Sequence, residues 1–159
     1  MDVAFVNGEL AILVRYWEQR GAEVEAGARV ELRRVSSVPS RKPSQGSAGF
    51  TVDPVSDGGL WRADLFVALT DAGRPCFHYH PNFEHDDVGE RVFDEALTHD
   101  PRGWIEAELS DLAALLTGAG AEEVLASVDM NAHRRMLPFV LLAIESCLAR
   151  LPAVLHREA

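Results

Sequence analysis

The chain predicts an α+β fold: an antiparallel sheet of four or five strands with one face covered by two or three C-terminal helices. Three observations carry this. Residues 1–83 look like strands, whereas residues 101–152 repeat apolar residues three and four apart. Strands and helices segregated along a chain stack as a sheet with helices on one side, rather than as a helix-wrapped parallel sheet. The 159 residues are 47% apolar and 25% charged, which suits one domain, 1–159, with a single core.

In order along the chain, ELAILVRYWE at 9–18 is rich in β-branched and aromatic residues, and a helix over 9–20 is its competing reading. RVELRRV at 29–35 alternates Val30 and Leu32 with Arg29, Glu31 and Arg33, and is expected to pair with the preceding strand through the connection around Gly21 to Gly27. SSVPSRKPSQGSAG at 36–49 lacks periodicity and is dominated by Ser, Pro and Gly, which predicts a long mobile loop that could order on binding. FTVDPV at 50–55 predicts a short edge strand, where Pro54 is tolerated because an edge need not donate every ladder bond.

The clearest strand is LWRADLFVALT at 60–70. Trp61, Ala63, Leu65, Val67 and Leu69 fall on one side, Arg62 and Asp64 on the other. RPCFHYHPNF at 74–83 alternates likewise, with Phe77, Tyr79, Pro81 and Phe83 opposed to Cys76, His78, His80 and Asn82. A three-residue loop of Asp71, Ala72 and Gly73 would join them, putting Phe66 opposite His78, Asp64 opposite His80 and Arg62 opposite Asn82.

After a charged connection at 84–100, Asp100 and Pro101 open a helix that runs to Gly118 on a stripe of Ile105, Leu109, Leu112 and Leu116. AEEVLASV at 121–128 predicts a shorter helix with Glu122 and Glu123 in its first turn. Leu137, Leu141, Ile144, Leu148 and Leu151 mark a buried last helix ending at Pro152, with Pro138 leaving its start open, since proline suits a first turn and kinks an interior.

Charge narrows function. The net charge is −10, and between Glu84 and Asp111 ten acids face only Arg91 and Arg102, a local balance of −8. A field of this sign repels phosphates, so nucleic acid is not an expected partner; a basic protein surface or a small ligand is. The longest apolar run, MLPFVLLAI at 136–144, is shorter than the ~20 residues a bilayer requires. The first residues lack the basic start and unbroken apolar run of a signal peptide, so a cytoplasmic protein without membrane contact is expected. Cys76 and Cys147 read as free thiols. An exposed apolar strip on a helix would point to a homodimer.

Chemistry concentrates in CFHYHPNFEHDD at 76–87. His78 and His80 share a sheet face with Arg62, Asp64 and Asn82, and Glu84 and His85 follow on a loop that could fold back. A carboxylate opposite a histidine can orient the ring and raise its basicity. Imidazole with carboxylate suits zinc, iron or manganese, so His78, His80, Glu84 and His85 are candidate ligands, with Asp64, Arg62 and Asn82 as orienting or ligand-contacting groups. Equally, antiparallel sheets commonly leave one face wet, and these residues would then be ordinary solvent-facing ones. His99 reads as a surface residue and His156 as part of a tail, while Arg134 and Arg135 beside His133 discourage a cation there. HYHPNFE, with His78, His80 and Glu84, resembles the first cupin motif, which implies a metal held on a strand and the turn after it. The second cupin motif has no counterpart, since Pro101-Arg102-Gly103 opens a helix and no histidine follows where one is needed, so the chain is not assigned to that family.

Two functions are compatible with these residues. One is a non-enzymatic binding or accessory module whose contact surface is the polar sheet face with the acidic segment, residues 76–111. The other is a metal-dependent enzyme, hydrolase- or oxygenase-like, with a His-x-His-x3-Glu site.

Overall fold

The sheet begins ahead of the first strand expected, with the N-terminal residues. Asp2–Asn7 (β1) pairs antiparallel with Leu10–Gln19 (β2), and Asn7 opposite Leu10 leaves a two-residue turn in which Gly8 has φ +62°. Such turns require positive φ, which glycine adopts without penalty. The computed structural model describes residues 2–19, 24–36, 55–69, 74–84 and 87–151. Residues 37–49 of the loop expected at 36–49, almost all of the edge strand expected at 50–55, the Asp71–Gly73 turn, His85 and His156 lie outside them.

Each strand joins its predecessor. Glu25–Ser36 (β3) pairs with β2, Val55–Ala68 (β4) pairs with β3, and the short Arg74–Pro75 (β5) and His78–His80 (β6) both pair with β4. The result is a six-stranded antiparallel sheet in the order β1-β2-β3-β4-β5, with β6 also on β4. Val14 lies opposite Val30 and Val30 opposite Ala63; Leu32 meets both Ile12 and Trp61. These side chains point to one face and form the core with the helices. Met130–Leu148 (α4) crosses that face against β1, β2 and β3.

The acidic segment has local work. Glu95–His99 (α1), Pro101–Ser110 (α2) and Leu112–Gly118 (α3) are capped by Asp94, Asp100 and Asp111, whose carboxylates accept from Ala96, Gly103 and Ala114 backbone N–H groups. Asp129 caps α4 by accepting from Asn131 and Ala132. Each cap satisfies donors that a helix start leaves unpaired.

Several expectations change. The helix expected over 101–118 is broken at Asp111, which ends α2 and caps α3. The short helix after it is a 3₁₀ segment, Glu122–Ser127. The last helix starts at Met130, so Pro138 lies inside it, on the exposed side where the freed carbonyl can face water. His133 is fully buried, and its Nε2–H donates to the Leu109 carbonyl at 2.7 Å, tying α4 to the end of α2. The connection at 84–100 holds a small hairpin, Phe83–Glu84 (β7) with Asp87–Val88 (β8), and then α1. Phe139 and Leu142 on α4 are exposed. Among the described residues no helix is long and apolar enough to cross a membrane.

Candidate functional site

The strand register assembles a polar cluster on the sheet face away from the helices. Asp64 lies opposite His78 and Arg62 opposite His80, a two-residue shift from the pairing expected of a three-residue loop. Ala68 pairs with Arg74, which leaves five residues between the strands. A shift by two preserves side-chain parity, so the histidines stay on the face of Arg62 and Asp64 while their partners change. On the other side of β4, Asp64 faces Arg29 and Arg62 faces Glu31.

This face is not wet. Asp64 and His80 are each 1% exposed, His78 3%, and Glu31 is also buried. Part of the cover comes from the segment after β8. Tyr79 and Val92 exchange both backbone hydrogen bonds, which draws residues 89–93 along the outer edge of β6. His80 Nδ1 then lies 2.9 Å from the Gly89 carbonyl, and the Phe93 ring lies 5.5 Å from His78.

Hydrogen bonding fixes both ring tautomers. A carbonyl oxygen only accepts, so Nδ1 of His80 carries hydrogen toward Gly89, and Nδ1 of His78 carries hydrogen toward Cys76 O at 2.8 Å. In the neutral rings neither Nε2 then carries hydrogen, and Asp64 Oδ2 lies 3.5 Å from His78 Nε2 and 3.8 Å from His80 Nε2. The His78 Nε2 is buried and has no hydrogen-bond partner among the described residues. Burial lowers the His80 pKa and Arg62 lowers it further, against the opposing pull of the Gly89 hydrogen bond and Asp64, so the ring is held neutral.

Two arginines surround the carboxylate. Arg29 Nε donates to Oδ1 at 2.7 Å and its Nη2 reaches Oδ2 at 3.3 Å. Its guanidinium also lies over Trp17 at 4.5 Å and Phe66 at 5.4 Å, so it is held by ring faces as well as by charge. Gly27 lies between Trp17 and Phe66 in the ladder, and a Cβ there would overlap the Leu65 carbonyl. Arg62 sits with Nη2 3.1 Å from His80 Nε2 and Nε 3.0 Å from Asp64 Oδ2, though that N–H is not aimed at the oxygen. Burial lowers the pKa of Arg62, with Asp64 opposing.

Asp64, His78 and His80 thus present donor atoms that all lie within 4.8 Å of one another. Donors ~2.0 Å from a tetrahedral zinc ion lie about 3.3 Å apart, close to the two distances to Oδ2. Asn82 is exposed beyond β6 and does not face Arg62. Glu84 lies in β7 opposite Asp87. Sequence reasoning missed Arg29 as a partner of Asp64, although the alternation of RVELRRV had put it on the polar side of its strand; the signal lacking was the β3–β4 register.

A cleft of about 270 Å³ reaches the His78 ring between Cys76, Arg91 and Phe93. On the helix side of β6, a second cleft of about 320 Å³ lies between Trp61, Tyr79, Glu108 and Asp111. Burial raises the Glu108 carboxyl above its ordinary range, with Asp94 and Asp111 adding to it. Compared with protein-family models, curated proteins and solved structures, the chain matches none.

Proposed function

We propose that this protein is a binding or accessory module that holds a divalent transition-metal ion on the polar face of its sheet, with Asp64, His78 and His80 as ligands. The supporting observation is the pair of buried histidines whose Nδ1–H groups are anchored on backbone carbonyls while both Nε2 atoms lie within 3.8 Å of one carboxylate oxygen. Such outer-shell anchoring orients metal-ligating histidines and sets their tautomer. Two imidazoles and one carboxylate suit zinc, iron or manganese. The near-complete burial of all three groups favours a resident ion over one that exchanges substrate. The capping duties of Asp94, Asp100 and Asp111 leave the acidic segment fewer free carboxylates for a basic partner, so the polar face carries the proposal.

A metal-dependent enzyme is the second reading, favoured by the cleft that reaches His78, since a catalytic ion keeps an open coordination position. Elemental analysis of purified protein, beside His78→Ala and His80→Ala variants, tests both. Near-stoichiometric metal lost in both variants is expected; no metal after incubation with zinc, iron or manganese overturns the proposal. In cobalt-substituted protein, a visible spectrum that responds to azide would favour the enzyme, and an indifferent one the module.

A further inference from the structure

We infer that Arg62 is a built-in competitor for the proposed metal: its guanidinium occupies the ion's place when the ion is absent and moves to Glu31 when it binds. The inference rests on the proposed metal site and goes beyond it by naming what regulates occupancy.

The metal-free site poses a problem of buried charge. A carboxylate that is 1% exposed and a bare imidazole nitrogen beside it are costly to leave without donors. Arg29 covers much of this, with its best bond to Oδ1. Arg62 lies against the two atoms an ion would take, with Nη2 3.1 Å from His80 Nε2 and Nε 3.0 Å from Asp64 Oδ2, the latter without a hydrogen bond. Its guanidinium spans one edge of the donor triangle, so ion and guanidinium cannot occupy that edge together. The third donor, His78 Nε2, is buried and has no hydrogen-bond partner among the described residues.

The fold also supplies a destination. Glu31 lies directly opposite Arg62 in the β3–β4 ladder, is buried, and already accepts from Arg33. Its charge acts on Arg62 where Arg62 now stands. A rotation of one side chain toward Glu31 exchanges one carboxylate for another, while Arg29 keeps its bond to Oδ1 and continues to orient Asp64. The polar face has two discrete arrangements, and the ion selects between them.

Zinc and cobalt titrations of wild type, Arg62→Met and Arg62→Lys by calorimetry test this, with His80→Ala as the ligand control. Removing the competitor should tighten zinc binding in Arg62→Met by at least ~10-fold, because the competent arrangement no longer has to be drawn from a minor population. Glu31→Gln should weaken binding in wild type and have no such effect in Arg62→Met. Equal or weaker binding by Arg62→Met, with wild type still binding, overturns the competitor while leaving the metal proposal intact. Binding by Arg62→Met alone supports the competitor and refutes a resident ion in wild type. Binding by neither removes both. Should Arg62→Met fail to fold, the wild type still decides: its Arg62 side-chain ¹⁵N–¹H resonances are expected to shift on zinc saturation, and unmoved resonances in a zinc-saturated protein overturn the inference.

Discussion

On the helix-covered face of the sheet, Val14, Val30 and Ala63 meet across three strands. One residue further along each strand, Arg15, Arg29, Asp64 and His78 form a row on the opposite face. Both rows come from the same backbone register, yet they are held by different physics. The first gains from removing apolar area from water and is indifferent to direction. The second gains only if each charge meets a donor or acceptor at bonding geometry, and loses heavily where one does not. An apolar face therefore tolerates volume-conserving exchange, whereas the polar face depends on particular partners.

The largest expected effect is at Asp64. Asp64→Ala should cost ~3–5 kcal/mol, because it strands Arg29 and Arg62 without their shared carboxylate. Leu32→Ala on the apolar face should cost ~2–5 kcal/mol through the cavity it leaves. Urea unfolding of both variants measures this, and an Asp64→Ala loss far below that of Leu32→Ala would mean the polar face contributes little beyond filling space. The faces should part more clearly in zinc. At a hundredfold excess over the dissociation constant, a site present only in the folded state adds ~2.7 kcal/mol. Leu32→Ala should retain that increment in a thermal shift assay, and His78→Ala should lose it.

A smaller effect belongs to Asp94, which caps α1 and accepts from Trp104 Nε1 at 3.2 Å. Asp94→Ala should cost about 0.5–2 kcal/mol, with a change in tryptophan emission that a cap acting on backbone alone would not produce. The smallest is Glu108→Gln. Because Glu108 titrates above its ordinary range in the fold, its ionised form opposes folding, and that opposition is absent below the unfolded pKa and sets in as pH rises through the folded one. The variant should therefore be slightly more stable at pH 7, by less than ~1 kcal/mol given its partial exposure, and no different at low pH. Unfolding midpoints across pH 3–7 measure the sign.

Much of this comparison is legible in the chain. Alternation at 60–70 and 74–83 separates Arg62, Asp64, His78 and His80 from Trp61, Ala63, Leu65 and Tyr79, and the observed faces agree. The helical stripe through Ile105, Leu109, Leu112 and Leu116 is buried throughout. Less legible are the pairings. Gly73 suggests a short loop, but the ladder closes at Ala68 and Arg74 and moves His78 from Phe66 to Asp64. β1 carries only a weak alternation, and its clearest signal is Gly8 in the turn that follows it. His133 sits beside Arg134 and Arg135 in sequence, which speaks only against a cation there, while the helix turns it toward Leu109.

By itself, then, the sequence determined the α+β class, the two faces and the Asp100 cap, because periodicity and capping are local properties of neighbouring residues. Tertiary structure alone decided which polar groups meet. Arg29 reaches Asp64 from thirty-five positions away, and residues 89–93 cover His78 and His80 through the exchange of hydrogen bonds between Tyr79 and Val92. No local pattern encodes such distances, since a ladder shifted by two residues preserves every face and changes every partner.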